Sequence, residues 1–181
     1  MDAIELLKHD HRMVEQLFRD YRAAASDVQR RGVVEVLVRE LSKHAALAEL
    51  MVYPLARQVF HDGSEEIGQH LDEHMAVKEL LLELDRLRTG DERTDDLMER
   101  LRQEVERHMR EEEEELLPKL RAAMDDTALG ELGQALDRAK RTAPTRPHPH
   151  APEEPPALAL AAPVASVYDR LCDRLQGRPR T

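Results

Sequence analysis

The sequence predicts an all-α protein: an up-down-up-down four-helix bundle with a short fifth helix and a proline-rich C-terminal tail. The first observation is a stripe of apolar and histidine residues that recurs at alternating steps of three and four along four long segments. The second is that only short turn-forming stretches separate these segments. The third is composition, since Leu, Ala, Glu and Arg dominate while aromatic residues make up 3% of the chain.

Each helix is predicted from its own stripe. In the second helix, for example, the stripe runs from Val34 to Val59. The stretches "HDGS" at 61–64 and "TGDER" at 89–93 are the turns on either side of the third helix. The predicted helices cover residues 2–26, 33–60, 67–84 and 97–120, with a shorter fifth helix at 127–140.

The two predicted hairpins resemble each other in sequence. "DHRMVEQL" at 10–17 matches "EHMAVKEL" at 73–80, and "LVRELSKH" at 37–44 matches "LRQEVERH" at 101–108. Such self-similarity indicates a duplicated hairpin and a pseudo-twofold bundle, although a shared helical register explains part of it.

The two halves also place a proline at the same offset. Pro54 follows His44 by ten residues, and Pro118 follows His108 by ten residues. Inside a helix, each proline removes one backbone donor and favours a kink. We therefore expect a local irregularity at the same height in the second and fourth helices.

We predict two parts along the chain. Residues 1–141 form the bundle with its site, and residues 142–181 form a proline-rich linker followed by a short amphipathic helix at 164–176. Seven of the ten prolines fall between residues 144 and 163, which favours an extended or disordered linker.

Charge and apolar runs exclude several partners. The net charge of −10 argues against a nucleic-acid-binding protein, because phosphate binding needs a basic face. The longest apolar run, "ALALAAPVASVY", has 12 residues and contains Pro163, so we expect no membrane partner. The start "MDAIELLKHDH" lacks signal-peptide features, and Cys172 is the only cysteine, so we expect a cytoplasmic protein. No sequence feature sets an oligomeric state.

Five of the nine histidines fall on the inward stripes of four different helices. A single buried histidine is usually a hydrogen-bonded core residue, but five unpartnered imidazoles would cost about 1–3 kcal/mol each. Neutral imidazole is a common metal ligand. Two ligand residues at i,i+4 spacing project from the same face of a helix. We therefore predict a metal site. Its histidines are His11, His44, His70, His74 and His108, with Glu112 one turn after the last.

The number of ligands points to two metal ions. Five histidines with one or two carboxylates exceed a single tetrahedral zinc site and suit two ions of intermediate hardness. None of the five has a carboxylate three residues before it, which disfavours the Glu-x-x-His pattern of ferritin-like di-iron proteins.

Residues 1–141 resemble a hemerythrin-like (HHE cation-binding) domain. The resemblance rests on "DH" in the first helix, "H…E…YP" in the second, "H…EH" in the third and "H…EE…P" in the fourth. The tail resembles the C-terminal extension of actinobacterial members. The resemblance implies two iron ions in a non-haem di-iron centre with carboxylate and oxo or hydroxo bridges. The implied ligands are His11, His44, His70, His74, His108 and Glu112.

The sequence departs from the family pattern at Ala48, where a carboxylate is expected four residues after His44. Glu49 lies one residue later, about 140° around an ideal helix from His44. It reaches the metal if the helix is locally overwound or bulged ahead of Pro54, and otherwise it faces solvent. We include Glu49 among the predicted ligands, with Glu15 as a weaker substitute.

Several other residues are candidates for supporting roles. Glu40 and Glu104, each four residues before a ligand histidine, could accept a ring N–H or could be plain surface carboxylates. Tyr53 could donate a hydrogen bond near the metal or could be an ordinary core tyrosine. In the run "EEEEE" at 111–115, only Glu112 lies on the histidine stripe, and its neighbours are predicted to be solvated.

Three functions follow from this site. The first is a carrier, buffer or sensor of dioxygen or nitric oxide, and the second is an enzyme that degrades hydrogen peroxide, as a catalase does, or reduces nitric oxide. The third is a metal-poor helical interaction module. We favour a di-iron protein that handles dioxygen, nitric oxide or hydrogen peroxide under stress, because all five histidines are present.

Overall fold

The computed structural model describes residues 1–60 and 63–149 and confirms the all-α prediction. Two of the long helices each contain one π turn and continue beyond it. The elements are α1 (Ala3–Ala23), α2 (Asp27–Leu47), a π turn (Ala48–Val52), α3 (Tyr53–Val59), α4 (Gly63–Arg86), α5 (Thr94–Glu111), a π turn (Glu112–Leu116), α6 (Leu117–Ala123) and α7 (Asp126–Lys140).

Local chemistry sets the helix ends. Asp2 caps α1 by accepting the backbone N–H of Glu5, while the Glu5 side chain accepts the backbone N–H of Asp2. Ser26 caps α2 with its hydroxyl oxygen, which accepts the backbone N–H of Gln29. The turn between α4 and α5 contains Gly90 at φ +79°, a conformation that glycine adopts without strain. These short connections keep successive helices antiparallel.

The irregularity that the structure shows ahead of each proline is a π turn. The backbone N–H of Tyr53, just before Pro54, bonds to the carbonyl of Ala48, five residues back. The N–H of Leu117, just before Pro118, bonds to the carbonyl of Glu112 in the same way. A proline supplies no N–H of its own, so the widened turn lies where the regular ladder is already interrupted.

Two apolar clusters fill the bundle, and the histidines lie between them. Along α1, for example, Leu7 belongs to one cluster and Val14 to the other, with His11 between them. Along α2, Leu41 and Leu47 flank His44 in the same manner. Both clusters exclude water, so the histidine layer lies in a dry interior.

Helix α7 confirms the predicted fifth helix and covers one end of the bundle. Gly133 approaches the backbone of Asp2 and Ala3 so closely that a Cβ there would lie 2.7 Å from the Asp2 carbonyl carbon. Lys140 pairs with the buried Asp10 of α1. Within the described part of the chain, no helix is long and apolar enough to cross a membrane.

Residues 142–149 contain no helix, whereas the predicted C-terminal helix at 164–176 and most of the proline-rich stretch lie outside the described residues. The division into parts 1–141 and 142–181 stays a prediction.

Candidate metal centre

Four helices bring the five predicted histidines into one buried layer. His11 comes from α1, His44 from α2, His70 and His74 from α4, and His108 from α5. Each is at most 6% exposed. The inward stripes predicted from the sequence therefore converge, as the metal-site hypothesis requires.

Glu112 lies between two groups of these histidines. Its Oε2 is 3.1 Å from Nε2 of His11 and 3.6 Å from Nε2 of His44. Its other oxygen, Oε1, is 3.5 Å from Nε2 of His108. One buried carboxylate thus directs one oxygen to the α1–α2 pair and the other to the α4–α5 group.

The α4–α5 group is equally compact. His108 and His74 direct their Nε2 atoms at each other at 2.9 Å, and the ring centroids of His70 and His108 are 5.3 Å apart. The described residues contain two groups whose potential ligand atoms lie within 4.8 Å of one another. One group is His44, His74, His108 and Glu112. The other is His70, Glu73 and His108.

Three carboxylates contact the outer ring nitrogens of the histidines. The Nδ1–H of His108 donates to Glu73 at 2.7 Å. The Nδ1–H of His74 donates to Glu49 at 2.9 Å. The predicted ligand Glu49 therefore points into the bundle rather than to solvent, and its contact is with the outer nitrogen of His74.

The third of these carboxylates is Glu113, which accepts the Nδ1–H of His11 at 2.8 Å. Glu113 follows His108 by five residues, as Glu49 follows His44 by five. A π turn brings a residue five positions on towards the face that an α-helix gives to the fourth. Both π turns thus place a carboxylate on a histidine of the neighbouring helix.

Tyr53 lies at the centre of the layer. Its hydroxyl donates to Oε1 of Glu112 at 2.8 Å and lies 3.1 Å from Nε2 of His74. The side chain is 1% exposed. Tyr53 precedes Pro54, and the residue that precedes Pro118 is Leu117. The Tyr53 hydroxyl therefore donates a hydrogen bond within the site, as the sequence suggested. The matching residue of the other half, Leu117, has no such donor.

The family model described as the hemerythrin HHE cation binding domain matches residues 2–120, well over half of the chain. The chain belongs to the hemerythrin HHE family. This confirms the resemblance seen in the sequence motifs, and the matched range covers all five buried histidines and Glu112 of this HHE domain.

A curated protein and a solved structure are similar to this chain. An uncharacterized hemerythrin-like protein of Schizosaccharomyces pombe is 26% identical over 179 residues, covering 93% of this chain and 88% of the relative. The crystal structure of a hemerythrin HHE cation binding domain-containing protein from Mycobacterium kansasii matches with a TM-score of 0.68 at 24% identity. That match covers 78% of this chain and 86% of the other. At this identity the structural match shows that the fold is shared.

Three participants in the HHE site were missed in the sequence. Glu73 was passed over although it follows His70 by three residues and directly precedes His74. Glu113 was assigned to a solvated face, which is wrong, because its carboxylate contacts His11. Lys78 is not among the residues predicted for the site, yet its Nζ donates to Glu49 at 2.7 Å and the residue is 9% exposed. Its position four residues after His74 was the available signal.

Other candidates lie away from the HHE centre. Glu40 pairs with Arg39 and Lys43, and Glu104 pairs with Arg107, so the carboxylates on the outer ring nitrogens are other residues. Glu15 is exposed on α1. Glu15 and Glu104 lie at or near the surface, whereas the Glu40 side chain is only 11% exposed and pairs with Arg39 and Lys43 rather than with a ring nitrogen.

Burial and charge set the protonation of the site. Burial alone would raise the pKa of Glu112, but the charge and N–H group of His108 and the N–H group of His11 hold that pKa well below its ordinary value. Burial opposes protonation of His108, yet Glu112 and Glu73 raise its pKa to about 9. Burial and the charge on His108 lower the pKa of His74 to about 4. His108 therefore carries the proton between the two facing Nε2 atoms.

Two ring nitrogens fit a metal better than a purely hydrogen-bonded core. His44 Nε2 and His70 Nδ1 are buried and make no hydrogen bond among the described residues, although a carboxylate oxygen lies near each, Glu112 Oε2 at 3.6 Å and Glu73 Oε2 at 3.4 Å. Contacts of this poor geometry leave part of the cost of about 1–3 kcal/mol that an unsatisfied buried polar group carries. Imidazole nitrogens and a carboxylate together form the donor set that iron, zinc and copper accept.

A small cavity of about 20 Å³ adjoins the histidines, which is room for one molecule about the size of water. Apart from histidines, its walls are apolar. They are formed by Val14, Leu41, Ala45, Val77, Val105 and Met109.

Proposed function

We propose that this HHE protein is a non-haem di-iron protein that binds or processes dioxygen, nitric oxide or hydrogen peroxide in the response to oxidative or nitrosative stress. The observation that carries the proposal is the position of Glu112. One oxygen of this buried carboxylate faces His11 and His44, and the other faces His108. A carboxylate shared between two imidazole groups is the arrangement that two neighbouring cations need.

The ligands divide into two groups. His11 and His44 would hold one ion, His70, His74 and His108 the other, and Glu112 would be shared. This set exceeds the four ligands of a structural zinc site. Glu49 stays a predicted ligand, and the contact that it makes is with Nδ1 of His74.

The protein's own contribution is orientation and exclusion of water. When bound, two irons would supply electrons one at a time and would offer vacant coordination positions to a small ligand. Glu113, Glu49 and Glu73 hold three of the imidazoles by their outer nitrogens, which fixes the ring planes and raises ligand basicity. The apolar walls of the cavity favour a small uncharged ligand over ions.

The proposal is tested by metal content. Protein loaded anaerobically with ferrous iron and desalted should retain about two irons per chain. Replacing His44 and His108 by Ala, singly, should reduce that number. His9→Ala is the matched control because His9 is an exposed histidine on α1 and should leave the iron content unchanged. Retention of far less than one iron by the unmodified protein would overturn the di-iron proposal.

Ligand binding is then tested on the loaded protein. Dioxygen, nitric oxide and hydrogen peroxide are added separately, and a new visible absorption band that reverses on removal of the gas indicates a carrier or sensor. No spectral change with any of the three would contradict the proposed ligand class.

Peroxide degradation is a second candidate, and Tyr53 is the observation that favours it. Burial and the nearby charge of Glu112 raise the pKa of Tyr53 well above its ordinary value, so its hydroxyl stays protonated as a hydrogen-bond donor within the site. Oxygen evolution from hydrogen peroxide by the iron-loaded protein would support this candidate. Unchanged evolution after Tyr53→Phe would exclude the hydroxyl as a participant.

A further inference from the structure

A buried lysine belongs to the metal-centre network although it contacts no histidine directly. Lys78 follows His74 by one helical turn on α4 and is 9% exposed. Its Nζ donates to Oε2 of Glu49 at 2.7 Å, while Oε1 of Glu49 accepts the Nδ1–H of His74 at 2.9 Å. Each oxygen of Glu49 thus has one partner, and the chain runs from Lys78 through Glu49 to His74.

The equivalent carboxylate in the other half lacks such a partner. Glu113 accepts the Nδ1–H of His11 at 2.8 Å, but its nearest lysine is Lys8, at 3.7 Å with a 38% exposed side chain. The residue one turn after His11 is Glu15, which is exposed. Among residues 1–60 and 63–149, a buried cation therefore contacts Glu49, whereas the lysine paired with Glu113 is a partly exposed one.

We propose that Lys78 is a positioning residue: it takes up part of the charge of Glu49, the carboxylate on the outer nitrogen of His74, and so adds to the electrical difference between the two metal positions. This inference deepens the proposed function and rests on it. Through Lys78, the metal held by His74 would have a higher reduction potential than it would have without the lysine.

The direction follows from two effects that agree. A carboxylate that accepts the outer N–H of a ligating histidine makes that histidine a more basic ligand. Lys78 takes part of the negative charge of Glu49 into its own hydrogen bond, so the histidine becomes less basic. A buried positive charge also disfavours the more oxidised, more positive metal directly. Both effects favour the reduced state at this position.

The decisive variant is Lys78→Met, which keeps an unbranched side chain, shorter by one atom, and removes its charge. In protein loaded with ferrous iron, we expect the iron content to be retained and one of the two midpoint potentials to fall. The expected change is about a tenfold shift in the ratio of oxidised to reduced iron at a fixed potential, or about 59 mV for one electron. Lys8→Met is the matched control and should leave both potentials unchanged. Unaltered potentials in Lys78→Met with full iron content would overturn the proposal.

A second measurement requires no metal. In the metal-free protein, a downfield ring N–H proton of His74, assigned by isotope-edited NMR, should exchange slowly because it is bonded to Glu49. Lys78→Met should move that signal further downfield, because Glu49 without the lysine is a stronger acceptor for the His74 N–H, and Lys8→Met should leave it in place. A signal that does not move in Lys78→Met would show that the lysine does not act on the carboxylate, which contradicts the positioning role.

Glu49→Gln separates a relay through the carboxylate from a direct effect of charge. If Lys78 acts through Glu49, then Lys78→Met changes the potential much less in the Glu49→Gln background than in the unmodified protein. An equal change in both backgrounds would overturn the relay. The double variant also removes both buried charges together, so it avoids the unpaired carboxylate that could prevent Lys78→Met from folding.

Failure of this inference and failure of the proposed function give different results. If the unmodified protein binds no iron, the proposed function falls, and the claim about potentials falls with it. If iron binds and only the Lys78 comparison fails, the di-iron proposal stands.

Discussion

The two hairpins of the bundle share their helix geometry but differ in their ligands. In each hairpin the second helix carries one buried histidine, His44 or His108. A π turn begins four residues after that histidine, and a proline follows it by ten residues. Each also places a carboxylate, Glu49 or Glu113, on the histidine of a neighbouring helix. They differ at the start of the π turn, where one hairpin has Ala48 and the other Glu112.

The difference teaches that the outer supports and the inner ligands are separable. In its contacts Glu49 is the counterpart of Glu113, since each lies five residues after its histidine and accepts an N–H from a histidine of a neighbouring helix. The carboxylate that faces the inner ring nitrogens in this structure is Glu112 of the second hairpin. Tyr53 of the first hairpin contributes a hydroxyl to Glu112, and the corresponding residue of the second hairpin is the apolar Leu117.

The largest effect is expected from removing Glu112, the carboxylate that faces both groups of histidines. Glu112→Ala removes the carboxylate that faces both histidine groups, so we expect the iron content to fall from about two to below one per chain. Metal analysis after desalting provides the measurement. Glu113→Ala is the control from the adjacent position, and it should weaken iron binding by about 10–100-fold while leaving a site that fills at high iron. Equal losses in the two variants would contradict the separate roles of these residues.

Ala48→Glu gives the first hairpin a carboxylate at the start of its π turn, where the second hairpin has Glu112. Ala48 is 1% exposed and packs in an apolar cluster, so a carboxylate there should destabilise the metal-free protein by about 2–5 kcal/mol. Bound iron should recover much of that loss by giving the new carboxylate a cation. Denaturant unfolding with and without iron measures both values. A variant that iron stabilises no more than it stabilises the unmodified chain would show that position 48 does not reach the site.

The pH dependence of the metal-free protein tests the proton on His108. Because the folded protein raises the pKa of His108 to about 9, this histidine stabilises the fold fully below pH 6.5. The unfolded chain binds fewer protons above that pH, so stability should fall by up to about 3 kcal/mol as the pH rises through 9. Thermal unfolding at several pH values between 6.5 and 9.5 measures the slope. Bound metal displaces the proton, so the loaded protein should not show this loss, and an identical slope with metal would refute the assignment.

The smallest effects are expected at Glu40 and Glu104. Both carboxylates pair with neighbouring cations on their own helices. Glu104→Gln, at a partly exposed pair, should change stability by less than about 1 kcal/mol. Glu40→Gln should cost more than that, because the Glu40 side chain is only 11% exposed. Iron content and midpoint potentials should stay the same. A clear loss of iron in either variant would mean that its helix face contributes to the centre after all.

The sequence predicted the bundle because stripes at steps of three and four report directly on a regular helix face. His11, His44 and His108 were found in this way, and the structure brings them together. The contacts of Glu49 and Glu113 were not predictable from those stripes, because a five-residue step leaves the face of an α-helix and returns to it only through a π turn.

Glu73 and Lys78 escaped prediction for another reason. Both act across a helix–helix interface, on His108 of α5 and on Glu49 of the α2 side. Sequence spacing shows which residues share one helix face, but it does not show which residue of a neighbouring helix stands opposite. Packing decides that pairing, and packing depends on the rotation of each helix in the bundle.

The two π turns also bear on ancestry. A π turn is an α-helical turn with one more residue in it, and here it occurs at the same offset from the histidine and the proline in both hairpins. Two independent insertions would have to coincide to the residue, whereas one insertion in a single ancestral hairpin would have been copied when the hairpin was duplicated. On this simpler account, Ala48 and Glu112 descend from one residue of the ancestral hairpin. The two hairpins were identical after the duplication, and later only one of them kept or gained the carboxylate.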